Sequence, residues 1–197
     1  MIPDQGILKG CSKGDRRSQF RLYEYCYPYL MGIALRYHRD RDEAASSVNL
    51  AFLKILNNIS KYDPSQSFGG WTRQIVIRTI IDEYRKEKRF RDQIMSHDHD
   101  SGILLNGNHV EHNHAEINLS VETLTGYLYQ LQPMTSSVFN LFVIDGYSHK
   151  DIGDMLDISE AASKWHLFTA RKQLQEIILK ENKPYQPTSV PSKIETV

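Results

Sequence analysis

Cysteine is nearly absent from this chain, and so are the residue patterns on which most catalysis depends. Cys11 and Cys26 are the only two thiols in 197 residues, too few for a disulfide framework and without the spacing of a metal site. No apolar run approaches the roughly 18 residues that a bilayer span requires. The opening stretch MIPDQGILKGCSKGDRR lacks the apolar core of a secretory signal. These absences favour a cytoplasmic protein with no membrane insertion. There is no Gly-rich phosphate loop, no nucleophile elbow and no HExxH zinc motif. Neither an enzyme nor a cofactor is expected. An excess of one charge is missing too, since 24 Lys and Arg balance 24 Asp and Glu.

That balance is global rather than local. Residues 1–95 hold 17 Lys and Arg against 11 Asp and Glu, residues 96–126 hold none against 5, and residues 127–197 hold 7 against 8. Phosphate attraction responds to local charge, so the basic first half is the one to set against nucleic acid. With 40% hydrophobic residues the chain can bury a core, and its length suits one large or two small domains.

What is present is helical periodicity. Over residues 15–39, Phe20, Tyr23, Tyr27, Leu30, Ala34 and Tyr37 recur at three and four, and Pro28 predicts a kink or a break into two helices. From Glu43 to Ile59 the stripe Ala44, Val48, Phe52, Ile55 and Ile59 predicts a regular helix. Its other side, Ser46, Ser47, Asn49 and Leu50, is expected nearer solvent. A third helix, about Phe68 to Arg89, places Ile77, Ile80, Ile81 and Tyr84 toward the core. Trp71, Ile75, Arg78, Asp82, Arg85 and Arg89 fall on the opposite side. An aromatic ring beside three arginines suits single-stranded nucleic acid, because bases stack on rings while guanidinium groups meet phosphates. The alternative is a helix buried on two sides, with Trp71 in the core and a solvated basic tail.

Residues 93–120 change character. They carry scattered Gly and Asn and five histidines, His97, His99, His109, His112 and His114. That spacing matches no closed zinc pattern, so the segment reads as a polar linker and no metal is assigned. Beyond it Leu124, Leu128 and Leu131 restore the helical period up to Pro133, and Val138, Leu141 and Phe142 mark a helix over Thr135 to Ile144. Gly146 to Leu174 then reads as two helices around the turn Asp157-Ile158-Ser159. Ile152, Met155 and Leu156 stripe the first; Ser163, Leu167, Ala170 and Leu174 share a face of the second, with Ser159 as its N-cap. Gly153 costs roughly 1 kcal/mol within a helix unless a close approach needs it. The pattern is that of a helix-turn-helix, whose second helix normally lies in the major groove, or of an ordinary αα-hairpin. The tail ENKPYQPTSVPSKIETV is Pro- and Ser-rich and expected to be disordered. The chain therefore reads as all-α, with two small helical domains at 1–92 and 121–180, a flexible linker at 93–120 and a tail at 181–197.

Two segments, FLKILNNISKYDPSQSFGGWTRQIVIRTIIDEYRKEKR and VFNLFVIDGYSHKDIGDMLDISEAASKWHLFTARKQL, closely resemble an extracytoplasmic-function (ECF) RNA polymerase sigma factor of the sigma-70 family, in its Bacteroidetes style. The resemblance implies a sigma factor whose first domain binds core RNA polymerase and captures the unwound −10 element, and whose second domain reads the duplex −35 element of promoter DNA. It implies a duplex-contacting role for Lys164, Trp165 and Phe168, and a polymerase-facing role for the helix side bearing Ser46, Asn49 and Leu50. An anti-sigma factor is left open as a further partner. The sequence departs from the family pattern at Ala45 to Leu50, where charged and amide groups are usual, at Arg78, where Asn is usual, at Ser137, where a basic residue is common, and at Asp157, where Gly is customary. The missing charges motivate a second function, a helix-turn-helix DNA-binding regulator that acts without core polymerase. A third is an interaction or metal-sensing protein built on the histidine run.

Overall fold

A computed structural model describes residues 3–95 and 119–181. The linker with its five histidines and the tail from 182 onward lie outside these described residues, save for the helix ends that reach into them. Among the described residues the chain is all-α, in two helical regions. The first holds α1 (Gln5–Ser12), α2 (Arg16–Ala34), α3 (Arg41–Asn58) and α4 (Phe68–Met95). The second holds α5 (Leu119–Gln130), α6 (Pro133–Phe139), α7 (His149–Leu156) and α8 (Glu160–Glu181).

Aspartates start the first three helices: Asp4, Asp15 and Asp40 each accept backbone N–H bonds from the turn they open, satisfying donors that a helix start leaves orphaned. Of the kink or break expected at Pro28, the break does not occur, since α2 runs through it. An interior proline costs about 3 kcal/mol, but α2 buries Leu22, Cys26, Leu30, Met31, Ile33 and Ala34. Burial of several such side chains, at about 1.5–3 kcal/mol each, outweighs the lost bond. Phe20, assigned to the same stripe, is instead 61% exposed. The short helix α1 has no counterpart among the sequence expectations, because eight residues carry too little periodicity to show.

The α3 stripe Ala44, Val48, Phe52, Ile55 and Ile59 is wholly buried. Ser47, expected near solvent, is buried as well, because its hydroxyl donates to Glu83 Oε2 at 2.6 Å and lies 2.9 Å from His38 Nε2. Helix α4 is buried over a wide arc: Ile77, Ile80 and Ile81 as expected, and also Thr72, Val76 and Thr79, since both α2 and α3 pack on it.

In the second region Pro133 opens α6, and a wider turn over Asn140–Ile144 carries it to Asp145 and Gly146. Gly146 has φ +78, a conformation that suits glycine. Ser148 and Asp151 cap α7 reciprocally. Leu124 is exposed, whereas Leu128 and Leu131 are buried with Ala170. The core does not stop at the boundary between the regions. Val138, Leu141, Ile152, Leu156 and Leu167 belong to the same buried cluster as Ile77 and Ile80.

One residue inside α7 and one in the turn after it test the helix-turn-helix corner in opposite directions. A Cβ on Gly153 would stand 2.8 Å from the Ile158 carbonyl oxygen, so Gly153→Ala should destabilise the second region by about 1–3 kcal/mol. Asp157 sits at φ 57, ψ 52, so Asp157→Gly should stabilise by up to about 1 kcal/mol. Denaturant midpoints of the two variants, one falling and one rising, are the check.

Candidate nucleic-acid interface

Helix α8 presents one face to solvent because its other face is anchored. Ser163, Leu167 and Ala170 are buried, and Ser163 Oγ lies 2.9 Å from His149 Nδ1 on α7. Ser159 caps the helix, accepting from the Ala162 N–H at 3.1 Å. Outward from that anchored side stand Lys164, Trp165, at 60% exposure, and Phe168, at 69%. Lys164 Nζ reaches Glu160 Oε1 at 2.6 Å, one helical turn away. Both side chains are exposed, and such pairs are worth little in water, so a phosphate or base edge can compete for the lysine. The lysine's hydrogen bond and charge hold the Glu160 carboxyl below its ordinary range. Two large apolar rings facing solvent beside a cation form a surface able to touch thymine methyl groups while the cation meets an acceptor.

On α4 the arginines separate from the core as expected. Arg78 and Arg89 are exposed, Arg85 is half-buried, and Asp82 between them pairs with Lys54 on α3 at 3.4 Å. Trp71 behaves differently. It is half-buried, with ring centroids 5.1 Å from Tyr62 and 5.7 Å from Phe68, and Ile75 is half-buried as well. The structure thus leaves an arginine face on α4 whose tryptophan is already stacked within its own region.

The α3 surface carries Ser46, Asn49 and Leu50, all exposed. Asn49 accepts a hydrogen bond from the Tyr23 hydroxyl at 2.9 Å, which ties it to α2. Leu53, not singled out from sequence, is 55% exposed beside Leu50, making a small apolar step on this side. Ser46 also borders a cleft of about 620 Å³ lined by Asp40, Asp42, Glu43, Glu83 and Glu87. That field repels nucleic acid and suits a basic protein partner. Among the described residues no group of three or more His, Cys, Asp and Glu side chains could hold a metal ion, and no helix is long and apolar enough to cross a membrane.

Sequence reasoning missed Asp145, Arg36 and Arg73. Asp145 Oδ1 receives Arg36 Nη2 at 2.9 Å and Arg73 Nε at 2.8 Å, and the Tyr37 hydroxyl donates to its other oxygen. These partners are 109, 72 and 108 residues away in sequence, beyond the reach of any local signal.

Residues 22–90 match the family model for sigma-70 region 2, and residues 123–174 match that for sigma-70 region 4. The two matches span more than half of the chain and follow its two helical regions. The ECF RNA polymerase sigma factor SigE of Mycolicibacterium smegmatis is 22% identical over 91% of this chain and 65% of its own length. The ECF RNA polymerase sigma factor SigM of Bacillus subtilis is 27% identical over 71% of this chain and 82% of its own. The chain thus spans just under two thirds of the first of these relatives. Among solved structures, the sigma factor RpoE of Bartonella quintana, crystallised with the anti-sigma factor NepR, shares the fold with a TM-score of 0.52 and 17% identity, over 83% of this chain and 97% of that one. The chain belongs to the sigma-70 family of sigma factors, proteins of transcription rather than enzymes.

One joint at the base of α8 carries a titratable group. His166 Nδ1 lies 3.0 Å from the Thr135 hydroxyl, and burial lowers its pKa from the ordinary 6.5. Folding therefore favours neutral imidazole. The stability it contributes is fully present above 6.5 and is lost as pH falls from there through the lowered value. Thermal unfolding between neutral pH and the acid side of that window should show a smaller drop for His166→Gln than for the unmodified protein.

Proposed function

We propose that this protein is a promoter-specificity subunit that binds core RNA polymerase and directs initiation at particular promoters. In this reading α8 meets the duplex −35 element through Lys164, Trp165 and Phe168. The outer face of α4, with Arg78, Arg85 and Arg89, meets the unwound −10 strand, and Trp71 serves that face from behind as a packed support. The α3 side with Ser46, Asn49 and Leu50 faces polymerase. The observation that carries the proposal is the coexistence, on one chain and in this order, of an arginine face outside the core of a region 2 helix and an exposed aromatic-plus-lysine face on a region 4 helix. A cytoplasmic location, a Bacteroidetes-type lineage and an anti-sigma partner belong to the same proposal; the last is supported by the relative solved with one. Run-off transcription with purified core polymerase on genomic fragments tests it. Discrete transcripts that depend on this protein are expected, and their absence with an active core overturns the proposal.

A second reading, a DNA-binding regulator that does not join polymerase, is favoured by one feature. The α3 surface offers the uncharged Ser46, Asn49 and Leu50, all exposed, to any partner. Capture of core polymerase by the immobilised protein separates the two readings.

Lys164→Ala should weaken binding to a −35 duplex by about 1–3 kcal/mol if the lysine reads a base edge, and should lower the salt slope by about one unit. Titration at several salt concentrations measures both. On the opposite surface, Ser46→Asp with Leu50→Glu should speed association with core polymerase several-fold at low salt, because rim charges act on encounter rate and are screened as salt rises. Surface binding kinetics across salt would show no gain if this side is specialised for apolar contact.

A further inference from the structure

We propose that the start of α2, with the last turn of α1 beside it, is a further binding surface for single-stranded nucleic acid. There the Phe20 ring stacks on a base, and the surrounding arginines and lysines meet phosphates. The surface shares no residue with the outer face of α4 or with α8, and the inference does not depend on either of those helices reading DNA.

Phe20 breaks the pattern of its own helix. Its spacing from Tyr23, Tyr27 and Leu30 predicts a place in the α2 stripe. Leu30 is fully buried and the two tyrosines are half-buried, yet Phe20 is 61% exposed. Tyr23 and Tyr27 have ring centroids 5.3 Å apart, and Tyr23 meets Phe52 edge-on at 5.0 Å. Among the described residues Phe20 meets no other ring. A single exposed ring is ordinary on a protein surface, and what distinguishes this one is its surroundings. Arg16 and Arg17 precede it by four and three residues, the spacings that share a helix face. Arg21 stands one turn beyond Arg17, and all three arginines are exposed.

The corner between α1 and α2 adds two more cations. Gly10 comes so close to α2 that a Cβ there would lie 2.1 Å from Ser18 Oγ, and the Asp15 N–H donates to the Gly10 carbonyl at 3.0 Å. Gly14, at φ +76, makes the reversal. The last turn of α1 is thereby held against the first turn of α2, and exposed Lys9 and Lys13 share the corner with Arg16 and Arg17. Residues 9–21 carry five Lys and Arg against one acid, Asp15. That carboxylate is already engaged. Its Oδ2 accepts the Ser18 N–H at 3.0 Å and the Ser18 hydroxyl at 2.6 Å. These bonds hold the Asp15 carboxyl below its ordinary range, with Arg17 adding a smaller share. Among the described residues no carboxylate stands within ion-pair distance of any of the five cations. Glu24, exposed one turn beyond Phe20, bounds the patch.

Five uncompensated positive charges repel one another, and a polyanion relieves that repulsion. The ring selects among polyanions. An acidic protein surface supplies carboxylates without a regular series of flat π-faces, and a paired duplex keeps its bases stacked out of reach. An unpaired strand offers a base and a phosphate at every nucleotide, which matches a ring set among guanidinium groups. An anionic membrane fits less well, because the apolar side of α2 is already buried through Leu22, Cys26 and Leu30.

The test uses the full chain and an oligothymidine strand of about 12 nucleotides. Phe20→Leu keeps an exposed apolar group and removes the ring. It should weaken binding about fivefold or more and leave the salt slope unchanged. Arg17→Gln with Arg21→Gln should lower the salt slope by about 1.4, at about 0.7 for each phosphate contact on a single strand. All three side chains are exposed, so helicity and melting temperature should not move. With iodouracil in the strand, photo-cross-linking mapped by mass spectrometry should mark Phe20. The same affinities are then measured in a chain carrying Arg78→Gln and Arg85→Gln, where the dependence on Phe20 should persist and so separates this surface from α4. Cross-links confined to α4, or a strand affinity that Phe20→Leu leaves unchanged, overturn the proposal; the second is also what a patch made for an acidic protein would give. A mixed-sequence duplex of the same length should be indifferent to Phe20→Leu, and a loss on the duplex equal to that on the strand overturns the stacking and the proposal with it.

Discussion

A carboxylate removed from water must be held by cations or lose its charge, and Asp145 is held by two arginines and a tyrosine. Most of the tertiary arrangement depends on that meeting point. Arg36 comes from the turn that follows α2, Arg73 from the first turns of α4, and Asp145 from the wide turn that ends α6. Removing any one leaves the others buried and unbalanced, at a cost of about 3–5 kcal/mol for a fully buried pair. The partial exposure of Arg73 reduces that figure here. Directional bonds of this kind add little net stability compared with apolar packing, but they select one way of fitting the two regions together.

Apolar packing supplies the bulk of the stabilisation, and small polar joints tune it. Three histidines sit at helix junctions, each beside a hydroxyl: His38 with Ser47, His149 with Ser163, and His166 with Thr135. All three hydroxyl-bearing residues are buried. A buried hydroxyl without a partner would cost on the order of 1–3 kcal/mol. The pairing explains how serines and a threonine occupy core positions in α3, α6 and α8, and it lets those helices approach more closely than leucine would allow. Asp157 and Gly153 work at the same scale. One adopts a left-handed backbone, and the other clears the turn carbonyl that follows.

The surfaces proposed to meet DNA and polymerase have the opposite character. Phe168, Trp165, Arg78, Arg89, Leu50 and Leu53 face solvent, where they stabilise nothing in the isolated chain. Large exposed rings and exposed cations on regular, well-anchored helices are what an interface needs: a rigid frame and groups able to exchange water for a partner. The acidic cleft beside Ser46 sets the third surface apart from the other two by charge, consistent with a protein partner there and nucleic acid elsewhere.

Much of this was available from spacing alone. The period of Ala44, Val48, Phe52, Ile55 and Ile59, the anchored side of α8 and the turn at Asp157 each follow from contacts within a few residues, and local contacts leave a local trace. The arginine side of α4 was readable for the same reason, because charge at helical spacing marks the side that cannot enter a core. What spacing could not show was which exposed-looking groups would be covered. Trp71 finds Tyr62 and Phe68, Ser47 finds Glu83 and His38, and Asp145 finds two arginines more than seventy residues away. A helical wheel reports only where a side chain points relative to its own axis. Whether it meets water, a ring or an opposite charge depends on which helix lies alongside, and only the packed chain decided that.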